Sequence, residues 1–282
     1  MSMKVLLLGA GGMLGRAVHV AVPGSISLRA FTRAELDLCN ESQLRAALGD
    51  RPDWVINCAA WTRVDAAEDH EAEATRINGD AVGVLGRLAA AVDARVLHLS
   101  TEYVFDGTLE RPYCEVDVPH PQGAYGRSKL AGERALMTVD GGRWTVVRTQ
   151  WLYGGGPSFV RTMWGRATSG QASRVVNDQF GAPTHVGELA GVIWRLVGEG
   201  AEGIWHAAAG GYTNWFEVAR AVYAAVGADP ALVTPCLTAE YGAKAPRPAN
   251  GRLDTTKLGG MRPFDAPLTE ALHPSRCGVL GP

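Results

Sequence analysis

A tyrosine and a lysine four residues apart, Tyr125 and Lys129, are the side chains best suited to chemistry in this sequence. At that spacing they share one face of a helix. Reduction of a carbonyl group needs a proton donor near the oxygen that gains negative charge, and a free tyrosine, with a pKa of about 10, is a weak acid for that purpose. A neighbouring ammonium group favours the phenolate, so we expect Lys129 to lower the pKa of Tyr125 and to hold the ribose hydroxyls of a nicotinamide cofactor.

Two hydroxyl side chains, Ser100 and Thr101, end an apolar run upstream of this pair. Open α/β sheets bind their ligands at the carboxyl ends of the strands. Thr101 is therefore expected to hydrogen-bond the same carbonyl oxygen as Tyr125, and Ser100 to lie on the cofactor side. The alternative is that both hydroxyls only cap the end of the strand. The predicted catalytic residues are Thr101, Tyr125 and Lys129.

The N-terminal region has the glycine spacing GxxGxxG directly after the apolar run 4–8. Residues without a Cβ permit a tight turn from strand to helix, and they let a pyrophosphate approach the backbone N–H groups of the helix N-terminus. A plain glycine turn is the alternative interpretation. The predicted pyrophosphate-binding residues are Gly9, Gly11, Gly12, Met13, Leu14 and Gly15.

The second apolar run, 26–31, is followed by Thr32 and Arg33, and no acidic residue stands at its tip. An acidic residue there binds the ribose of NAD, whereas a basic one suits the 2′-phosphate of NADP. Arg33 therefore favours NADPH, with NADH as the alternative. Asp37 and Leu38 are expected to cover the adenine edge.

Hydrophobic patterning predicts the elements that must position these residues. Predicted strands alternate with predicted helices, which indicates a Rossmann-like doubly wound parallel sheet. The strands are expected at 4–8, 26–31, 54–58, 95–100 and 144–148, and the helices at 14–21, 42–48, 71–92 and 125–137. Residues 1–155 are expected to form a dinucleotide-binding domain that also receives 185–227, whose helices near 187–198 and 215–226 pack on the sheet. Residues 156–184 and 228–282 are expected to form a small C-terminal substrate-binding lobe.

Composition excludes several classes of protein. A net charge of −2 on 282 residues gives no basic excess for a nucleic-acid partner. The five scattered cysteines have no CxxC pair, which argues against a disulfide framework or a zinc site. No apolar stretch is long enough to span a bilayer, and the short N-terminal apolar run lacks a cleavage-site pattern, so a cytoplasmic location is expected. His98, His185 and His206 are interpreted as packed or hydrogen-bonded residues.

Taken together, these motifs resemble the extended short-chain dehydrogenase/reductase superfamily, and within it the dTDP-4-dehydrorhamnose reductase family is the closer match. The resemblance covers nearly the whole chain. It rests on Gly9–Gly15, Asn57–Thr62, Asn78, Ser100–Gly107, Tyr125–Glu133, Arg148–Tyr153, Asn177–Thr184 and Arg247-Pro248.

The resemblance implies hydride transfer from NADPH or NADH to the C4 ketone of dTDP-4-dehydro-L-rhamnose. It implies that Tyr125 donates the proton, that Lys129 tunes it and that Thr101 orients the carbonyl group. The cofactor would be bound by Gly9, Gly11, Gly12, Met13, Leu14, Gly15, Arg33, Asp37, Leu38, Ala59, Ala60, Trp61, Thr62, Asn78, Ser100, Tyr125 and Lys129. The sugar nucleotide would contact Thr101, Glu102, Trp151, Asn177 and Arg247. A homodimer is compatible with the resemblance; no metal is predicted, because the acidic ligands of metal-binding relatives do not map onto this chain.

Glu102 stands where the family usually has aspartate, which leaves the sugar contact open. Sugar-nucleotide dehydratases have an acid pair after the threonine, but Glu102 is followed by Tyr103, so elimination chemistry is disfavoured. Three alternatives stay open at this point. They are a dehydratase or epimerase, a 4-ketoreductase of another deoxysugar pathway such as a streptose-type one, and a non-catalytic regulatory subunit like that of methionine adenosyltransferase.

Overall fold

A six-stranded parallel sheet forms the centre of the structure, a computed structural model that describes residues 2–272. Residues 273–282 of the predicted lobe, with Cys277, lie outside the described residues. The strands are β1 Met3–Leu8, β2 Ile26–Phe31, β3 Trp54–Asn57, β4 Arg95–Thr101, β5 Arg143–Thr149, β6 Leu152–Tyr153, β7 Ser173–Val176, β8 Phe180–Gly181, β9 Thr184–His185, β10 Gly203–His206, β11 Thr213–Asn214 and β12 Val233–Cys236. The α-helices are α1 Met13–Val20, α2 Glu41–Leu48, α3 Val64–Ala67, α4 Glu71–Thr75, α5 Ala81–Ala90, α6 Ala124–Met137, α7 Phe159–Thr168, α8 Val186–Glu199, α9 Trp215–Ala225, α10 Thr238–Tyr241 and α11 Asp265–Leu272.

The order of the strands in this sheet is β2-β1-β3-β4-β5-β10, with every pair parallel. The prediction of a doubly wound parallel sheet is confirmed. The chain leaves β1 for β2 at one edge and then returns past β1 to β3. That reversal opens a crevice at the carboxyl ends of β1 and β3, which is where such sheets bind ligands.

Apolar side chains on alternate sides of the strands bury both faces of the sheet. Leu7 and Leu97 pack with α1 and α8, and the Trp194 indole N–H donates to the Val18 carbonyl at 2.9 Å. On the other face, Leu8 and Val96 pack with α2, α5 and α6. The helix expected near 187–198 therefore packs on the sheet, as predicted.

The helix α9 packs elsewhere, which corrects the expectation that 215–226 lies on the sheet. Its buried residues Val218 and Val222 share a core with Val160 and Met163 of α7 and with β7 and β12. An apolar stripe predicts that a helix has a buried face, but it does not identify the element against which that face packs. The exact division of the chain into two domains stays a prediction.

The helical stretch expected over 71–92 is divided by a π-helical turn, Arg76–Asp80, between α4 and α5. The extra residue of such a turn has no hydrophobic signature, so periodicity could not predict it. The turn places Asn78, which is fully buried, against the segment that follows β3.

Candidate active site

The glycine loop lies in the crevice between β1 and β3. Gly9 has φ +78°, and a Cβ at that position would be 2.6 Å from the Ala59 nitrogen. A Cβ on Gly15 would overlap the Gly9 carbonyl. Gly12 is the N-cap of α1 and provides no side-chain cap, and Gly11 and Gly12 are exposed. The first N–H groups of α1 are thus open to an anion, which fits a cofactor pyrophosphate.

Arg16 joins this loop to a more distant segment, and sequence reasoning missed it. Its guanidinium donates to the carbonyls of Gly11 and Gly155, each at 2.5 Å. An arginine in the first turns of a helix is usually a solvated residue, so its type and spacing gave no signal.

At the end of β2, the structure separates the residues expected near the adenosine. Arg33 is exposed, as a 2′-phosphate contact requires. Asp37 accepts a hydrogen bond from the Cys39 N–H at 3.0 Å. The Leu38 side chain lies in the core, 5% exposed, with Leu44. The expectation that Leu38 covers the adenine edge is corrected, since an apolar residue beyond a strand end can extend the core instead.

Asn78 fixes the wall of the crevice beyond β3. Its side chain accepts from the Trp61 N–H at 2.8 Å and donates to the Trp61 carbonyl at 3.0 Å and to Ser128 Oγ at 2.9 Å. Ala59 and Ala60 are half-buried and Thr62 is exposed, whereas the Trp61 ring is 7% exposed and packs with Ala124. Asn78 thus holds the backbone of this wall in place through Trp61.

Thr101 ends β4, and its hydroxyl has two partners. It donates to Glu102 Oε2 at 2.7 Å and accepts from the Tyr103 N–H at 3.2 Å. Glu102 is only 3% exposed, and burial raises the pKa of its carboxyl to about 8 despite the Thr101 hydrogen bond. A largely protonated Glu102 at neutral pH leaves the Thr101 hydroxyl free to donate to a ligand instead.

Tyr125 lies beside Thr101, with its ring edge-on to Tyr103 at 5.6 Å between centroids. Burial raises the pKa of Tyr125, the charges of Glu102 and Tyr103 add to this, and only a hydrogen bond with Thr101 lowers it. The expected lowering of that pKa by Lys129 is therefore wrong for this cofactor-free arrangement. The phenol is held in its protonated form.

The position of the Lys129 side chain accounts for this difference. The side chain is 2% exposed, and its Nζ lies 3.2 Å from Nε2 of His98. Burial lowers the pKa of Lys129 to about 8, and Glu133 and Cys58 oppose that shift. His98 is packed and hydrogen-bonded, as predicted, but sequence reasoning gave it no place in the site.

A buried ion pair supports the catalytic helix from below. Glu133 and Arg148 are joined at 2.6 and 3.0 Å, and Ser100 donates to the same carboxylate at 2.5 Å. The Ser100 hydroxyl is thus committed to the interior, and its expected contact with the cofactor finds no support in this geometry.

On the sugar side, Trp151 has φ +48°, a left-handed conformation that is strained for a tryptophan. Its ring stacks on Trp215 of α9 at 3.7 Å between centroids. A Cβ on Gly181 would be 2.7 Å from the Trp151 ring, so a glycine is needed there. The contact of Trp151 with the sugar stays a prediction.

Two other residues predicted to contact the sugar, Arg247 and Asn177, form hydrogen bonds to other parts of the protein. Arg247 forms a paired hydrogen bond to Asp65 at 2.9 and 3.0 Å, and it lowers the pKa of the Tyr103 phenol against the larger effect of burial. Arg247 therefore reaches the Tyr103 side of the site. The Asn177 N–H donates to the Cys236 carbonyl at 3.0 Å, which ties Asn177 to the end of β12.

Within residues 2–272, no group of three or more histidine, cysteine or acidic side chains could hold a metal ion. The four cysteines of that range are free thiols. No helix in the described part of the chain could traverse a membrane.

Comparison with known proteins relates this geometry to a family. The family model described as "RmlD substrate binding domain" matches residues 3–273. A dTDP-4-dehydrorhamnose reductase of Mycolicibacterium smegmatis is 41% identical over 294 residues, covering 100% of this chain and 87% of that protein. A dTDP-4-keto-6-deoxy-D-glucose reductase of Streptomyces niveus is 41% identical over 238 residues, 83% of each chain.

Among solved structures, a dTDP-4-dehydrorhamnose reductase from Bacillus anthracis in complex with NADP superposes with a TM-score of 0.91. The two chains are 32% identical, and the match covers 96% of this chain and 98% of that one. The Rossmann-like sheet, the open glycine loop and the Thr101–Tyr125–Lys129 group thus occur in a chain that belongs to the RmlD substrate-binding-domain family of sugar-nucleotide reductases.

Proposed function

We propose that this protein reduces the C4 ketone of a dTDP-4-keto-6-deoxy sugar with NADPH, and that the product is dTDP-L-rhamnose made from dTDP-4-dehydro-L-rhamnose. The observation that carries the proposal is the position of Thr101 and Tyr125 at the carboxyl end of β4, one strand from the crevice that holds the glycine loop. Relatives matched over most of their length have names that describe this chemistry.

The reaction adds a hydride to the carbonyl carbon and a proton to the carbonyl oxygen, and the C=O π bond becomes a C–O single bond. The open glycine loop at Gly9–Gly15 would hold NADPH, which would supply the hydride when bound. Tyr125 supplies the proton, since its phenol is held protonated by burial beside Glu102 and Tyr103. As negative charge develops on the substrate oxygen, that oxygen becomes a stronger base than a phenolate and takes the proton.

Thr101 would orient the carbonyl group through its hydroxyl. That hydroxyl now donates to Glu102, and protonation of Glu102 would release it for the substrate. Trp151 would cover the sugar ring from the side of α9. NADPH is favoured over NADH by the exposed Arg33 and the absence of an acid at the tip of β2; the similar Bacillus anthracis structure holds NADP.

A 4-ketoreductase of another deoxysugar pathway is the second candidate, favoured by Glu102 in place of the family's usual aspartate and by the equal identity to the Streptomyces niveus protein. A dehydratase is disfavoured, because Tyr103 stands where a second carboxylate is needed. A homodimer and a cytoplasmic location remain predictions.

An assay of NADPH oxidation with enzymatically made dTDP-4-keto-6-deoxy sugars tests the proposal. Turnover only when a 3,5-epimerase is present would identify the L-configured substrate. Turnover without the epimerase would favour the second candidate. If NADPH is not oxidised with any of these sugars and the protein captures a partner protein, the results would instead support the binding-subunit alternative.

A further inference from the structure

A chain of hydrogen bonds beneath the crevice leads from the backbone to Lys129. Asn57 and His98 are direct neighbours across β3 and β4, and both are fully buried. Asn57 Nδ2 lies 3.1 Å from His98 Nδ1, and His98 Nε2 lies 3.2 Å from Lys129 Nζ. Because bulk water does not reach these groups, each donor is expected to face an acceptor.

The donor and acceptor roles in this series of hydrogen bonds are set at the end farthest from Lys129. The Ala59 backbone N–H can only donate, and it lies 3.1 Å from Asn57 Oδ1. The orientation of the Asn57 amide is thereby fixed, and its Nδ2 donates to His98 Nδ1. A neutral imidazole carries one proton, so a ring that accepts at Nδ1 carries that proton on Nε2, directed at Lys129.

We infer that His98, held in this tautomer by Asn57, donates a hydrogen bond to Lys129 and thereby favours the uncharged amine form of that side chain before the cofactor binds. An ammonium group has three donors and no acceptor, so it would meet the His98 N–H head to head. An amine has a lone pair that accepts this hydrogen bond. His98 is thus a positioning residue that acts through Lys129.

The other charged and titratable groups around Lys129 are compatible with this state. Burial is the main effect that lowers the pKa of His98 well below its usual range, so the imidazole stays neutral. Glu133, one turn further along α6, favours the ammonium, but its carboxylate is shared with Arg148 and Ser100. Burial raises the pKa of the Cys58 thiol to about 12, so that side chain carries no charge at neutral pH. The Tyr125 phenol is also neutral.

The consequence for turnover, which rests on the proposed function, is a lysine that can take up and release a proton near neutral pH. Burial places the pKa of Lys129 at about 8, close to ordinary working conditions. A group with such a pKa is suited to restoring the proton that Tyr125 loses in each cycle.

Nuclear magnetic resonance of the full-length, cofactor-free protein tests the inference without turnover. The chain has four lysines, Lys4, Lys129, Lys244 and Lys257, so carbon-13 labelling of lysine side chains gives few signals. With nitrogen-15 histidine, we expect His98 to carry its proton on Nε2, and we expect Lys129 to titrate well below the other three lysines. A proton on Nδ1 of His98, or a Lys129 that titrates with the exposed lysines, would overturn the inference.

A substitution that reverses the donor and acceptor roles at His98 provides the second test. Asn57→Asp keeps the acceptor for Ala59 but presents an acceptor to His98, so the imidazole proton should move to Nδ1 and the pKa of Lys129 should rise toward about 10.4. The new carboxylate also attracts an ammonium directly, and the same substitution in a His98→Phe background measures that contribution. Equal rises in the two backgrounds would contradict the role of the His98 tautomer. Because neither readout uses substrate, failure of the reductase assay and failure of this inference are separate outcomes.

Discussion

Individual side chains in this site differ in how firmly they are held by their surroundings. Thr101 and Glu102 form a buried hydrogen bond, and Tyr125 lies against Thr101 with its phenol protonated. The Nζ of Lys129 lies 3.2 Å from Nε2 of His98. Proton supply at this site therefore depends on a neutral phenol and a partly neutral amine.

Removal of the Tyr125 hydroxyl tests the proton donor. Tyr125→Phe should reduce the rate of ketone reduction by about 10²–10⁴-fold, because a positioned general acid contributes that much, while NADPH binding is retained. Steady-state NADPH oxidation and cofactor titration by fluorescence measure the two effects. Tyr241→Phe, at a tyrosine that is 60% exposed, is the matched control. Wild-type rates in Tyr125→Phe would remove this residue from the mechanism.

Arg33 tests the choice of cofactor. Arg33→Ala should raise the KM for NADPH by about tenfold and leave the KM for NADH unchanged, since a charge-assisted hydrogen bond to phosphate is lost. Steady-state kinetics with both cofactors measure the difference. Equal effects on the two cofactors would show that Arg33 does not read the 2′-phosphate.

Glu102 should make stability depend on pH. Its pKa is about 8 in the folded protein and about 4.3 in an unfolded chain. The folded state therefore binds the proton more tightly, and the stabilisation is complete below the unfolded pKa and is lost as the pH rises through about 8. Compared with Glu102→Gln, the wild-type protein should lose about 4 kcal/mol of unfolding free energy between pH 5 and pH 9.

Urea unfolding of both proteins at the two pH values measures this difference. Glu73→Gln, at an exposed glutamate of α4, controls for the removal of one negative charge. A difference between wild type and Glu102→Gln that is the same at both pH values would contradict the raised pKa.

At the scale of elements, α6 carries Tyr125 and Lys129 and packs closely on the π-helical turn. A Cβ on Gly132 of α6 would overlap the Asn78 carbonyl of that turn, whereas a Cβ on Gly165 of α7 would meet no atom within 4 Å. The close approach of α6 to the turn thus depends on Gly132.

Substitution of these two glycines by alanine should therefore change the stability of the protein in opposite directions. Gly132→Ala should destabilise the protein by about 1–3 kcal/mol through overpacking against backbone, despite the better helix propensity of alanine. Gly165→Ala should stabilise it by about 0.5–1 kcal/mol, because only the propensity changes. Thermal unfolding of the two variants measures both effects. Stabilisation by Gly132→Ala would mean that α6 and the turn can separate at little cost.

Much of this architecture was predictable because its determinants are local. The apolar runs of β1 to β5, the glycine loop and the spacing of Tyr125 and Lys129 can all be read from neighbouring residues. The π-helical turn, the Leu38 side chain in the core and the packing of α9 on α7 depend on contacts between distant segments. His98 and Arg16 were missed for the same reason, since their partners lie far away along the chain.

At the scale of the whole molecule, the stacked rings of Trp151 and Trp215 connect the end of the central sheet with the core that α7 and α9 share. Trp151 follows β5, and Trp215 begins α9, which packs with α7. The orientation of the Trp151 ring therefore depends on the position of α9 relative to the end of β5.

Loss of this stack should weaken sugar binding selectively. Trp215→Leu should raise the KM for the sugar nucleotide by about 2–10-fold, the equivalent of about 0.5–1.5 kcal/mol for an aromatic pair, without changing the KM for NADPH. Trp205→Leu, at a tryptophan of β10 that lies under Lys257, is the control. If Trp215→Leu raises the KM for the sugar nucleotide and the KM for NADPH equally, the substitution has destabilised the protein in general.

The order of strands in the sheet also has a consequence for biosynthesis. β5 ends at Thr149, but its outer neighbour β10 begins only at Gly203. Until that later segment has emerged from the ribosome, β5 presents unpaired N–H and C=O groups along a hydrophobic strand, and such an edge recruits other chains. Nascent chains that stall between these two strands should therefore be the ones most dependent on chaperones.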